Sequence, residues 1–207
     1  MTIVYLVRHG QNDYVTQRKL AGWLPGVHLN DVGRKQAAQI AETLKSTKLQ
    51  AVYSSPLDRA IETAKPIAAA QGLKVASRKG LGEVNIGSWQ GLSLKAARRR
   101  KLWPTIQHTP SLARFPEGES FLEAQSRIVE TLEAIRSKHS GAIACVFHAD
   151  PIKLAVAHYV GLPIDSFQRL EIEPGSISEL QIKDGAARLI RLNVIVPGAD
   201  LKLQNGT

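Results

Sequence analysis

With 207 residues, 43% of them hydrophobic, the chain has enough apolar material for one well-buried core and too little length for two full domains. Its lone cysteine, Cys145, excludes an internal disulfide, and no apolar run approaches membrane-spanning length. An excess of 27 Lys and Arg over 18 Asp and Glu, formally +9, favours anionic partners without choosing among them.

Residues Ile3 to Val7 are apolar without alternation, which predicts a strand covered on both faces, as in a parallel sheet flanked by helices. The run stops at Arg8-His9-Gly10: a planar permanent cation, an imidazole able to offer a lone pair at neutral pH, and a residue that lets backbone approach a ligand. The N-terminal stretch is too short for a signal peptide and ends at a charge, so a soluble cytoplasmic protein is expected. Gln11 to Leu29 is polar and irregular, and is expected to cover the mouth of a site. Asn30 is placed to cap a helix whose Ala37, Ile40, Ala41 and Leu44 share one face.

A second strand is expected over Gln50 to Ser54, then a helix with Ser55 as cap, Pro56 at its first position and Arg59 in its first turn. Pro66 should kink or break that helix, and a third strand is expected near Leu73 to Ala76. Leu81 to Leu92 is rich in glycine yet carries Glu83 and Trp89, which points to an ordered functional loop. Ser93 to Lys101 reads as a very basic helix, and Trp103 to Pro116, with three prolines, as a mobile lid.

Ser120 to Glu123 forms a capping box opening a long helix with Phe121, Ile128, Leu132 and Ile135 along one side. Ala142 to Phe147 is a second fully apolar strand, containing Cys145 as a buried structural thiol and ending, like the first, at a histidine, His148. Asp150-Pro151 reads as cap and first helical position, with Gly161 as terminator. Asp184-Gly185 between two strand-like runs marks a C-terminal hairpin.

Two strands ending in histidine, with Arg59 at a helix start and Glu83 in an ordered loop, are the candidate site. Singly, each residue has an ordinary structural use; their joint placement is what argues for chemistry. Leu6-Val7-Arg8-His9-Gly10, Ser54-Ser55-Pro56-Leu57-Asp58-Arg59-Ala60, Glu62-Thr63-Ala64, Gly82-Glu83-Val84, Gly87-Ser88-Trp89-Gln90-Gly91, Pro116 to Ser120 and Val146-Phe147-His148 resemble, in order, the motifs of the histidine phosphatase superfamily, also called phosphoglycerate mutase-like. Pro25 to Asn30 and His148 to Lys153 are similar to a branch of it described as phosphomutases.

The resemblance implies a three-layer α/β sandwich with a mostly parallel mixed sheet, one domain over residues 1–207, and a lid-like insert at about 92–116. It implies a phosphatase, with a phosphoglycerate mutase-type phosphomutase as the alternative and no cofactor. His9 would be the nucleophile and Glu83 the proton donor. Arg8, Arg59, His148 and Asn12 would hold the phosphoryl group. A metal at His9, Glu83 and His148 is the rival arrangement, opposed by the two arginines. The expected partner is a small anionic phosphorylated substrate, recognised in part by Gln11, His28, Arg98, Arg99 and Arg100. No membrane is expected, nucleic acid is disfavoured for want of interleaved aromatics, and a homodimer is left open. A low-turnover polyanion-binding protein of the same fold is a further alternative. Against the family pattern, Asn12 replaces Thr or Ser, Val15 replaces Asn, Phe147 replaces Ser, and Ala149-Asp150 replaces Gly-Gly. An acid at position 150 would oppose a phosphate unless it caps its own helix.

Overall fold

The structure, a computed structural model, describes residues 1–183 and 185–195. In chain order its elements are β1 (Thr2–Arg8), α1 (Asp13–Thr16), α2 (Asp31–Leu44), β2 (Leu49–Ser54), α3 (Asp58–Ala70), β3 (Val75–Ser77), α4 (Leu94–Ala97) and α5 (Trp103–His108). There follow α6 (Phe121–Arg136), β4 (Ala142–Phe147), α7 (Ala149–Val160), β5 (Ser176–Lys183) and β6 (Ala186–Ile195). One six-stranded sheet runs in the order β3-β2-β4-β1-β5-β6. The first four strands are parallel, and β5 and β6 add an antiparallel edge.

Because side chains alternate along a strand, the sheet feeds two cores. Val7, Val52, Ala144 and Val146 pack with Ile40 and Leu44 of α2 and with Ala64 and Ile67 of α3. Leu6, Tyr53, Ile143, Cys145 and Phe147 pack on the other side with Phe121, Ile128 and Leu132 of α6 and with Ile152 and Val156 of α7. The helices start and stop where short-range chemistry places them. Asn30 accepts from the Gly33 amide at 2.9 Å, Ser120 and Glu123 close their capping box, and Gly161 ends α7 at φ 70°. Among the described residues no helix is long and apolar enough to cross a membrane.

Several local expectations are overturned. Ser55 does not cap α3, which begins later behind Leu57; its hydroxyl is instead 2.8 Å from His148 Nε2. Pro66 leaves α3 unbroken, because buried Ala64, Ile67 and Ala68 on either side hold the helix to the sheet and offset the one hydrogen bond its ring removes. The basic helix shrinks to Leu94–Ala97, since Lys95 would face Arg98 and Arg99 at helical spacing with no intervening carboxylate. Residues 103–116 are packed: Ile106, Ala113 and Phe115 are buried, and the Phe115 ring lies 5.4 Å from Trp89 and 5.5 Å from Phe121. Asp150 does not cap α7; His148 occupies that position, with no side-chain bond. The third strand is Val75–Ser77, and Asp184 of the expected hairpin turn lies outside the described residues.

Candidate active site

The site forms where neighbouring strands part company. β1 and β4 are adjacent, yet α2, which follows β1, lies on one face and α7, which follows β4, on the other. Divergence of this kind leaves a crevice at the carboxyl ends of the strands. The ladder continues to its rim, with His9 N donating to Phe147 O at 3.0 Å and Ser55 N to Val146 O at 2.9 Å. His9 and His148 are thereby brought to a ring separation of 5.1 Å, both buried. The turn after His9 needs two glycines: a Cβ on Gly10 would sit 2.5 Å from the Gly33 carbonyl oxygen, and one on Gly33 2.0 Å from that of Gln11.

His9 is held by its own neighbour. Its Nδ1 donates to the Gly10 carbonyl at 2.7 Å, which leaves the lone pair on Nε2, where Arg59 Nε donates at 3.3 Å. Burial, then the charges of Arg59 and Arg8, push the His9 pKa well below the usual histidine value, so the ring is neutral. Arg59 rises from the first turn of α3 and anchors its Nη2 on the Gly22 carbonyl at 2.8 Å; Arg8 anchors its Nη1 on the Ile172 carbonyl. Burial lowers both guanidinium pKa values, though arginine stays charged. Arg8 Nε, Arg59 Nη1 and His148 Nδ1 are buried polar atoms with no protein partner. Such atoms are rare without a ligand or water to satisfy them.

Glu83 arrives on a loop clamped from behind. Arg127 of α6 donates to the carbonyls of Gly80 at 2.7 Å, Gly82 at 3.2 Å and Glu83 at 3.3 Å, while pairing with Glu119 at 2.6 Å. Trp23 Nε1 also donates to the Glu83 carbonyl, at 2.6 Å. The carboxylate accepts from the Val84 amide at 2.9 Å and lies 3.8 Å from His148 Nδ1. Burial, then the nearby charge of Asp150, raises its pKa to about 7 against the pull of Arg59. Arg8, His9, Arg59 and Glu83 line one cavity of about 180 Å³, with Asn12, Tyr14, Lys19 and Asp150 among the other lining residues.

Arg8, His9, Arg59, Glu83 and His148 are thus brought together, with Asn12 buried at the cavity wall, where it caps α1 through the Val15 amide. Four other candidates lie on different surfaces, and so does Gln11. His28 is exposed and meets Glu62 at 2.5 Å, while Gln11 bonds Gln36 and Asn30. Arg98 and Arg99 line a separate cavity with Arg18 and Lys95, and Arg100 a third beside Trp89 and Pro116. Sequence reasoning missed Tyr14, Lys19, Trp23, Arg127 and Thr63, whose hydroxyl accepts from the Gly10 amide at 3.0 Å. Their partners are remote in sequence, and no local pattern announces them. Among the described residues no group of three His, Cys, Asp or Glu is placed to hold a metal ion.

Fold and pocket together define an α/β enzyme of the phosphoglycerate mutase-like kind. The chain belongs to the histidine phosphatase superfamily (branch 1), whose profile matches residues 4–195; its members are phosphatases or phosphomutases. Phosphoserine phosphatase 1 of Hydrogenobacter thermophilus is 26% identical over 200 residues, covering 94% of this chain and 93% of that protein. Phosphoglycerate mutase-like protein 4 of Arabidopsis thaliana is 38% identical over 156 residues, covering 72% of this chain and 67% of that protein. A mycobacterial glucosyl-3-phosphoglycerate phosphatase solved in complex with VO3 superposes with a TM-score of 0.85 at 26% identity, covering 93% of this chain and 98% of its own.

Proposed function

We propose that the protein hydrolyses phosphomonoesters of small metabolites through a phosphohistidine formed at His9. The observation that carries this reading is the fixed, neutral His9 ring, its Nε2 facing Arg59 Nε at 3.3 Å, in a cavity where Arg8 and Arg59 each retain a buried nitrogen without a hydrogen-bond partner. Nε2 attacks phosphorus, and the ester oxygen departs with the Glu83 proton. The resulting Glu83 carboxylate then takes a proton from water, whose oxygen attacks phosphohistidine, releasing phosphate and restoring His9. Arg8 and Arg59 hold the charge on the transferred oxygens, the main service phosphoryl transfer asks of a protein. Ser55 Oγ accepts from the Leu57 amide at 3.3 Å and lies 2.8 Å from His148 Nε2; with its hydroxyl donating there, His148 presents Nδ1–H as a further donor. Relatives and structural neighbours named as phosphatases support the same reading.

The test is to quench turnover of labelled substrate and look for acid-labile, alkali-stable label on the protein. Label on the wild type that is absent from His9→Ala, with turnover of p-nitrophenyl phosphate reduced on the order of 10³-fold or more, is expected. Activity should persist in chelator. An unlabelled enzyme, or a His9→Ala variant with full turnover, would overturn the reading.

A further inference from the structure

Arg8 and Arg59 account for binding of the phosphoryl group, and an acid they do not explain lines the same cavity. Asp150 is the second residue of α7 and lines the cavity with its side chain partly exposed. It caps nothing; Lys153, one turn on in α7, pairs with it at 3.6 Å while also reaching Gln168 at 3.5 Å, and the Arg8 guanidinium feels its charge. Among the described residues no donor bonds its carboxylate. Its field is felt across the site, raising the Glu83 pKa and contributing to that of Arg8.

A carboxylate lining a phosphate pocket, hydrogen-bonded by no donor of its own, weakens binding of a phosphate dianion and favours a ligand that brings a positive charge. At about 180 Å³ the cavity has room for a phosphoryl group and a short chain close to it.

We propose that the natural substrate is a short phosphomonoester whose leaving alcohol carries an ammonium group, with the Asp150 carboxylate as its counter-ion. The proposal rests on the phosphoryl reading above and narrows it to a substrate class. Lys19, contributed to the same cavity by a different segment, offers a partner for a carboxylate, so an amino-acid phosphate belongs to the class without being required by it.

Two matched pairs of probes isolate the ammonium group: O-phosphoethanolamine against 2-hydroxyethyl phosphate, and O-phosphoserine against 3-phosphoglycerate. The ammonium member of each pair should be favoured about tenfold or more in kcat/KM, mainly through KM. Asp150→Asn should bring each ratio within about twofold of unity, and Asp150→Glu should keep part of the preference. A wild-type ratio near one, or a preference that survives Asp150→Asn, would overturn the proposal. The wild-type ratios decide even if a variant fails to fold. His9-dependent turnover of p-nitrophenyl phosphate without ammonium discrimination would sink this inference and leave the phosphoryl reading standing; no turnover of any ester would sink both.

Discussion

Burial acts on His9 and Glu83 in opposite directions and leaves each in the form the proposed reaction requires. Removing water disfavours charge, so His9 stays neutral to well below its usual titration while Glu83 keeps its proton to about pH 7. If Glu83 protonates the leaving oxygen, kcat/KM on alkyl phosphates should fall as pH rises through about 7. Asp150 is the second cause of that raised value, so Asp150→Asn should move this alkaline limb to lower pH. Glu83→Gln should lose about 10²- to 10⁴-fold on alkyl phosphates and much less on p-nitrophenyl phosphate, whose leaving group needs no proton. Equal losses on both esters would refute the acid role. The same shift makes a stability statement. The folded state holds this proton to about pH 7, whereas an unperturbed carboxyl releases it near 4.5. The contribution is therefore full below 4.5 and lost as pH rises to 7, and Glu83→Gln should flatten that part of the stability profile.

At the scale of elements, the decisive contact is between the turn after β1 and the first residues of α2. Helix propensity alone would make Gly33→Ala stabilising by about 1 kcal/mol. A Cβ there, however, would lie 2.0 Å from the Gln11 carbonyl oxygen, and backbone on both sides leaves no flexible side chain to yield. The clash wins. Gly33→Ala should destabilise by about 1–3 kcal/mol, read from denaturant midpoints, and should reduce kcat as well, because the displaced turn carries His9. Unchanged stability and turnover would show that this contact does not position His9. Helix caps are set locally, which is why Asn30, Ser120 and Gly161 are readable from their immediate neighbours.

For the whole molecule, the +9 charge is spread over surfaces that do not all serve the site. Arg98 and Arg99, which the sequence puts forward for substrate recognition, line with Lys95 a cavity apart from the one at His9. At 0.15 M salt, exposed charges act over a screening length of about 8 Å. Replacing these three by Gln should leave KM for small phosphomonoesters within about twofold of wild type at that ionic strength. A rise of tenfold would place them on the substrate after all.

The sequence by itself determined the chain of elements, the sheet with helices on both sides, and five residues that meet at one edge. These depend on apolar runs, turn residues and caps whose physics acts over a few positions, and on family motifs that follow one another in order along the chain. Tertiary structure decided the rest: that Ser55, 93 residues from His148, bonds its ring rather than capping a helix, and that Arg127, 44 residues from Glu83, clamps its loop. It also decided that Asp150 faces the pocket while His28 and the basic run do not. Where a side chain has several partners within reach, packing chooses among them, because burial penalises every polar group left without one.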